Sequence, residues 1–290
     1  MAKAITRMIF YFIWNSKIDR VKREVMFKTH DKGGKGVPDL TTILRGDYVC
    51  HCVRNTLRSE DKSHVGFLMA RFFLLPTWRW LGWAEWESAV PYNWETPWFY
   101  KEAEKFIKEH GLLATAPTQW TPNIVQRQIH ASDVSKLIGA LPSATADHVW
   151  GNVTSMRRTN HYKDIAWIAI QGGLPVRAFT HARGLNRYKS CRRGCTADET
   201  TYHLFWECTH AQYLLKALSM EFGARIPTSC ITADSVMYGL FPGSHRLGDL
   251  LGCWRLLCCF KGVLLFFRNC LVVGKKKTPT LAEDDPQPPA

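Results

Sequence analysis

A mainly α-helical fold is predicted from three stretches of this 290-residue sequence. Apolar residues recur at intervals of three and four between Leu40 and Leu57, which is the periodicity of one helix face. Residues 99–112 form a charged and apolar helical pattern that ends at Gly111, a typical helix terminator. Residues 250–277 are apolar over the length of a long helix. The chain is also long enough to bury a sizeable core.

The N-terminal part, residues 1–30, is predicted to form a helix, or a helix and a strand, before the stretch HDKGGKGVPDL. Three glycines and a proline in that stretch predict a tight loop. It is not a phosphate-binding loop, because the pattern G-x-x-x-x-G-K-[ST] is missing. The apolar run from Met8 to Trp14 lies at the lower length limit of a secretory signal, and no small-residue cleavage site follows it. We therefore expect a buried segment, and a chain of the nucleus and cytoplasm that is not secreted.

The middle of the chain is rich in tryptophan, and residues 76–100 contain six of the twelve. Aromatic side chains can stack on nucleic-acid bases when a cationic groove lies beside them. Here Arg79 is outnumbered by Glu85, Glu87 and Glu95, so the segment is locally acidic. Packing in a core is therefore the prediction for these tryptophans.

A domain boundary is predicted between 113 and 150, where alanine, threonine, proline and serine become frequent around a predicted helix over 124–141. After the boundary, residues 164–191 read as a helical run, a Gly-Gly-Leu-Pro turn and a basic helix or strand. The predicted division is 1–60, 61–140, 141–277 and a Pro-rich acidic tail, 278–290, that we expect to be disordered.

Positive charge is concentrated in two parts of the chain, whose formal net charge is +13. Residues 1–58 hold twelve basic and five acidic side chains, and residues 151–195 hold nine basic and one acidic. Such a distribution favours a polyanionic partner, either nucleic acid or an acidic membrane surface. An ordinary solvated face is the alternative.

Four potential metal ligands occur within eighteen residues, with the spacing Cys191-x3-Cys195-x7-His203-x4-Cys208. Zinc is held tetrahedrally by thiolates and imidazoles, and a closed set of four protein ligands is typical of a structural site. Arg192 and Arg193 are expected to lower the thiol pKa values. Reduced buried cysteines and disulfides are the alternatives, and His210 is a spare ligand candidate. A helix is predicted from HLFWEC to about Met220.

The C-terminal stretch 250–277 resembles a membrane span in composition, but Arg255, Lys261 and Arg268 interrupt it. No uncharged run approaches the roughly 18 residues that a spanning helix needs, so no membrane span is predicted. Lys261 and Arg268 lie nearly on one helical face, which predicts a mostly buried helix with a narrow polar edge. Peripheral membrane association, helped by Lys275 to Lys277, is the alternative.

The residues LPVRAFTHARGL, CRRGC and ETTYHLFWECTHAQ, within 174–212, resemble the zinc-binding region at the C-terminus of non-LTR, LINE-type retrotransposon reverse transcriptases. In that family a Leu-Pro-x-Arg turn precedes a knuckle of three cysteines and one histidine with the same spacing. Residues 12–40 resemble the segment that follows the polymerase palm and thumb. The tryptophan-rich middle and residues 253–273 are similar to the Tx1-like branch of LINE elements. The resemblance extends to about Lys277.

This resemblance implies a helical, thumb- or connection-like N-terminal part, followed by a small helical zinc-knuckle domain with a structural Zn²⁺. Reverse transcriptases also need a Phe/Tyr-Ala-Asp-Asp turn whose aspartates bind two cations. The one Asp-Asp pair of this chain is Asp284–Asp285 in the predicted tail, and the endonuclease domain of such polyproteins is missing. We therefore expect no catalytic residue and no enzyme activity by itself.

The resemblance and the charge together predict RNA or DNA as the partner, either an element's RNA template or its target DNA during target-primed reverse transcription. The remainder of a reverse transcriptase, supplied in trans, is a second expected partner, and an inert relic of a truncated element is the alternative. Arg177 is expected either to contact phosphate or to brace the zinc subdomain. The predicted phosphate contacts are Arg157, Arg158, Arg177, Arg183, Arg187, Lys189, Arg192 and Arg193. His161 and Tyr188 are predicted to stack on unpaired bases.

Overall fold

The computed structural model describes residues 1–57, 65, 69, 73–74, 95–112, 119–131, 133–155, 160–223, 228–242 and 247–274. Within these ranges the chain is mainly helical, as predicted, and its extended pairing is an isolated bridge between Ser190 and Asp198. The chain divides into two compact units, Met1–Lys136 and Leu137–Ala290. The four-part division stays a prediction, and most of the tryptophan-rich segment and all of the tail lie outside the described residues.

Unit 1 is built from helices, and within 1–30 the chain forms two helices and no strand. Asn15, in the left-handed conformation with φ of 44°, ends the first of them. A 3₁₀ turn, His30–Lys32, leads into the glycine-rich loop. The helices are α1 (Ala2–Trp14), α2 (Arg23–Phe27), α3 (Leu40–Leu57), α4 (Trp98–Glu109) and α5 (Pro122–Ala131).

The glycine-rich loop folds tightly back onto the end of α2, as predicted. The backbone N–H groups of Lys35 and Val37 both donate to the Met26 carbonyl, at 3.2 and 3.0 Å. A Cβ atom at Gly34 would lie 1.8 Å from the carbonyl oxygen of Lys28, so no other residue fits there without moving the backbone.

The core of unit 1 lies where α3, α4 and α5 pack together, and both helices predicted from periodicity are confirmed. Val53, Ala103 and Phe106 are among its fully buried side chains. The helix predicted over 124–141 is confirmed only in its first half, because α5 ends at Ala131. The chain turns there, and the Asp133 N–H donates to the His130 carbonyl at 3.1 Å.

Unit 2 is also helical in its described part. The predicted basic helix or strand after the Gly-Gly-Leu-Pro turn is a short helix. The longest helix, Leu247–Gly274, packs against the helices Asn160–Ile170 and Ala233–Tyr238. The helices are α6 (Ser143–Ser155), α7 (Asn160–Ile170), α8 (Arg177–His181), α9 (Thr209–Glu221), α10 (Ala233–Tyr238) and α11 (Leu247–Gly274).

The predicted polar edge of α11 is present, but it faces the interior of the protein and not the solvent. Lys261 and Arg268 are 0% and 4% exposed, whereas Val263, Phe266 and Phe267 face solvent. Both cations are stabilised in the interior by hydrogen-bond acceptors. Lys261 Nζ donates to the Met237 carbonyl at 3.1 Å, and Arg268 Nε donates to the buried carboxylate of Glu199.

The same helix bears on the membrane question. Residues Leu250–Cys270 are long and apolar enough to cross a membrane, judged by length and composition, and 39% of this stretch is buried inside the protein. Lone helices of this kind are also common in soluble cores. The absence of a membrane span therefore stays a prediction.

Candidate metal centre

The first two candidate ligands lie on a tight turn that is enclosed by the Ser190–Asp198 bridge. The Cys191 N–H donates to the Ala197 carbonyl at 2.9 Å, which closes the turn. Gly194 adopts φ of 88°, a conformation that side chains strongly disfavour, and this allows the chain to reverse between the cysteines. Cys191 and Cys195 are thereby brought to the same side of the turn.

The other two candidate ligands lie on either side of a break in the helix that the sequence predicted to be continuous. His203–Glu207 forms a π-helical turn, and Cys208 then adopts an extended conformation (φ −60°, ψ 131°) as the N-cap of α9. The predicted single helix to Met220 is therefore wrong at Cys208. Short π-helical turns are frequent at functional sites because they realign side chains. Here the turn places His203 and Cys208 together.

The ligand atoms of Cys191, Cys195, His203 and Cys208 all lie within 4.8 Å of one another, and the four residues could hold a metal ion. The Sγ atoms of Cys195 and Cys208 are 3.8 Å apart. Cys195 is partly exposed and the other three are buried. The site predicted from spacing is thus assembled by the fold, and His210 is exposed and outside it.

His203 provides a test of whether the site fits a metal ion. Its ring is buried, and neither ring nitrogen makes a hydrogen bond with a described residue. A buried polar nitrogen without a partner is rare and costs free energy. Nδ1 lies 3.6 Å from Oε2 of Glu207, an arrangement in which a carboxylate orients an imidazole ligand. A metal ion at the cluster would supply the missing partner.

The two cysteines of the turn have opposite pKa shifts. Burial raises the pKa of the Cys191 thiol to about 11. Burial also acts on Cys195, but its polar contacts with His203, Thr209 and Cys208 outweigh it and lower the pKa of Cys195 to about 7. The prediction that the neighbouring arginines lower the thiol pKa values is therefore wrong for Cys191, where burial dominates.

All ten cysteines lie within the described residues, and none of the ten forms a disulfide. Cys50, Cys253 and Cys258 are buried in helices, as expected for cysteines that act as small apolar residues. Within the described residues, the Cys191 group is the one cluster of cysteine, histidine and acidic side chains that could hold a metal ion.

The predicted nucleic-acid contacts fall into three sets. Arg183, Arg187, Tyr188 and Lys189 are exposed on the segment between α8 and Cys191, and His161 is exposed at the start of α7. Arg157 and Arg158 lie outside the described residues.

Arg177, Arg192 and Arg193 form the third set, and their side chains are partly buried. Arg177 Nη1 donates to the Ser190 carbonyl at 2.9 Å, and Arg193 Nη2 donates to the Leu264 carbonyl at 3.3 Å. Burial lowers the pKa of Arg192, and the positive charges of Arg268 and Arg177 add to this effect. The contact of Arg177 supports the expectation that it braces the turn.

Glu199 is a buried residue beside the metal centre that the sequence did not predict to be part of the site. It is 1% exposed and accepts a hydrogen bond from Arg268 Nε at 2.7 Å. The backbone N–H groups of Arg177 and Arg192 donate to its two oxygens at 3.2 and 3.3 Å. Arg268 also donates to the Pro175 carbonyl at 2.9 Å. This one carboxylate therefore joins α8, α11 and the turn that carries Cys191 and Cys195, which we call the ligand turn.

No local signal in the sequence could have identified this pair, because Glu199 and Arg268 are 69 residues apart. Comparisons of the chain with protein-family models, with curated proteins and with solved structures give no match.

Proposed function

We propose that the chain is a zinc-stabilised nucleic-acid-binding fragment of a LINE-type reverse transcriptase that has no catalytic activity by itself. The observation that carries the proposal is the cluster of three cysteines and one histidine directly after an exposed basic segment. The resemblance of residues 174–212 is the reason to name the element class.

Zinc is the proposed ion because the donor set and the spacing of the donors suit it. Zn–S bonds of about 2.3 Å in a tetrahedral site separate two sulfur atoms by about 3.8 Å. The Sγ atoms of Cys195 and Cys208 have this separation, 3.8 Å. Four protein ligands leave no open position for a water or substrate, so the ion would have a structural role. It would hold the ligand turn against the start of α9.

Nucleic acid is the proposed partner because the cations beside the cluster face solvent. Arg183, Arg187 and Lys189 are exposed and would contact phosphates, which positions a strand without reading its sequence. Lys189 Nζ lies 3.0 Å from Oδ2 of Asp198. Because this ion pair is exposed and contributes little free energy, a phosphate could replace Asp198 as the partner of Lys189. Tyr188, which is 60% exposed, could stack on an unpaired base.

In an intact element this fragment would help to hold template RNA or target DNA during target-primed reverse transcription. The polymerase and endonuclease centres would belong to other parts of the polyprotein, so the remainder of a reverse transcriptase is a further proposed partner. The nucleus and cytoplasm are the proposed location.

The proposal is tested by measuring the metal content of the purified chain by elemental analysis under reducing conditions. Binding to single-stranded RNA and DNA is then measured over a range of salt concentrations, before and after chelation. We expect about one zinc per chain, affinity that falls as salt rises, and weaker binding after chelation. A matched variant, Arg187→Gln, should reduce the salt dependence of binding by about one phosphate contact.

Two results would contradict the proposal. A metal-free chain would remove the zinc centre. Binding that is absent at low salt would remove the nucleic-acid partner, whatever the metal content.

A further inference from the structure

Arginines outnumber acids around Glu199, and this surplus is not explained by the metal centre. The guanidinium group of Arg268 bonds this single buried carboxylate, that of Arg192 lies 4.0 Å from it, and that of Arg177 is close enough for its charge to act on Arg192; we call these four residues the arginine cluster. A partly buried region that contains more cations than anions is unfavourable unless a further anion enters it.

The oxygens of Glu199 accept hydrogen bonds mainly from donors other than the guanidinium groups of Arg177 and Arg192. Oε1 accepts from Arg268 Nε and from the backbone of Arg177, and Oε2 accepts from the backbone of Arg192. Arg192 Nε is 4.0 Å from Oε2, too far for a hydrogen bond. Within the described residues, the Nε atoms of Arg177 and Arg192 have no hydrogen-bond partner at all.

The surplus of positive charge remains when the neighbouring groups are counted. A divalent ion held by three thiolates and a neutral imidazole carries one net negative charge. Arg193, whose side chain reaches the Leu264 carbonyl, adds one positive charge to the same turn. Lys189 and Asp198 form a pair of opposite charges. The turn therefore stays cationic with its metal ion bound.

The side chains of Arg177 and Arg192 are partly exposed to solvent, although their Nε atoms are buried. The side chain of Arg192 is 23% exposed, and the hydrogen bond from Arg177 Nη1 to the Ser190 carbonyl lies at the surface. Both arginines are anchored through their backbone N–H groups to Glu199. The Arg177 side chain is also fixed by its hydrogen bond to the Ser190 carbonyl, and its charge acts on Arg192, so the two side chains lie near each other before an anion binds. This lowers the entropy cost of capturing an anion.

We propose that Arg177 and Arg192 form a discrete site for a phosphomonoester dianion, the terminal phosphate of a nucleic-acid strand. This inference rests on the proposed nucleic-acid-binding function. One guanidinium group can bind two phosphate oxygens at once. Two neighbouring guanidinium groups therefore suit a terminal phosphate, which has two negative charges and three free oxygens. The diester backbone carries one charge per phosphate and suits the open row of Arg183, Arg187 and Lys189 instead.

The test compares oligonucleotides of one sequence that end in a 5′-phosphate, a 3′-phosphate or hydroxyl groups only. Binding to the full, metal-loaded chain is measured at fixed ionic strength. We expect a terminal phosphate to raise affinity about tenfold, the effect of one good charge-assisted contact. Arg192→Gln should abolish this preference, because it keeps the backbone contact to Glu199 and removes the guanidinium.

Arg187→Gln is the matched control, since it removes an exposed arginine outside the cluster. It should weaken the binding of all three oligonucleotides equally and leave the preference for a terminal phosphate unchanged. Arg192→Lys is a second variant, for use if Arg192→Gln does not fold. It keeps the positive charge but loses the paired N–H donors of the guanidinium group. It should lower the preference without abolishing net binding.

The pH provides a second readout. The second pKa of a phosphomonoester is near 6, so the preference for a terminal phosphate should weaken when the pH is lowered to about 5, where the group keeps one of its two negative charges. Sulfate, which stays a dianion over this range, serves as the control ligand and should still raise the melting temperature of the wild-type chain more than that of Arg192→Gln.

The outcomes separate this inference from the proposed function. Equal affinity for phosphorylated and unphosphorylated strands would overturn the terminal-phosphate site and leave nucleic-acid binding intact. If no oligonucleotide binds but phosphate and sulfate stabilise the wild type more than Arg192→Gln, the site exists for free phosphate and the proposed function is wrong. If no oligonucleotide binds and neither anion distinguishes the wild type from Arg192→Gln, both are overturned.

Discussion

The two units of this protein bury different kinds of polar group. Among the described residues of unit 1 the buried polar side chains are Thr6 and Ser135, which are hydroxyls. Unit 2 also buries an acid, an imidazole and two cations: Glu199, His203, Lys261 and Arg268. A buried charge is tolerated only when it has a partner, whereas apolar packing needs none. The stability of unit 2 should therefore depend on metal and pH, and that of unit 1 on packing alone.

The sharpest way to break this contrast is to remove a metal ligand by Cys208→Ser. Structural zinc contributes folding free energy on the order of 10 kcal/mol, so this variant should lose its metal and unfold the 185–220 region. Residues 1–110 should stay folded. The measurement is zinc stoichiometry together with hydrogen exchange along the chain.

Cys253→Ser is the control for this substitution, because it changes a buried cysteine of unit 2 that lies outside the metal cluster. It should keep its zinc. Unchanged zinc stoichiometry in Cys208→Ser would refute the ligand assignment.

The second prediction concerns the buried ion pair. Glu199→Gln leaves Arg268 buried without a carboxylate, and breaking a buried pair in this way costs about 3–5 kcal/mol. Urea unfolding of unit 2, followed by hydrogen exchange in α9 and α11, should show this loss. Asp198→Asn, which breaks an exposed pair with Lys189, should cost less than about 1 kcal/mol. Equal effects from both substitutions would argue against a structural role for Glu199.

The third prediction applies to unit 1. Phe106 is 1% exposed in the core between α3 and α4, so Phe106→Ala should destabilise unit 1 by about 3–5 kcal/mol. Because this loss comes from packing, it should be the same with and without chelator. It is measured at pH 8, because burial lowers the pKa of His110, whose ring lies 4.5 Å from that of Phe106, and the imidazole is neutral at this pH. A chelator-dependent loss measured in α4 would contradict the contrast between the units.

The fourth prediction uses Lys261. Burial lowers the pKa of this amine to about 8 from an ordinary value of 10.5. Between these values the unfolded chain holds a proton that the folded chain has released, so the free energy of unfolding should rise with pH. The rise should reach at most about 3 kcal/mol near pH 10.5.

Lys261→Met should remove this pH dependence and make unit 2 more stable than the wild type below pH 8. Cys258 on the same helix and Tyr238 on α10 also titrate nearby, and the pKa of Tyr238 is raised by burial. The difference between variant and wild type isolates Lys261 from both. Parallel stability curves for the two proteins would show that folding does not shift the pKa of this amine.

Local patterns in the sequence were sufficient for several features. The periodicity of 40–57 and 99–112 predicted α3 and α4, because a helix face is defined by residues three and four positions apart. The spacing of Cys191, Cys195, His203 and Cys208 predicted the metal cluster, since a short Cys-x3-Cys turn supplies two ligands and a nearby element can supply the other two. Zinc itself and the nucleic-acid partner stay predictions.

Other features were decided only by the tertiary structure. The sequence contained Lys261 and Arg268 but could not show that they point inward, because their acceptors, Met237 and Glu199, lie 24 and 69 residues away. The break of the helix at Cys208 was equally invisible, since helix propensity does not report where a neighbouring turn needs a ligand. Burial and electrostatic partnership depend on residues distant in sequence, and they become visible only when the chain is folded.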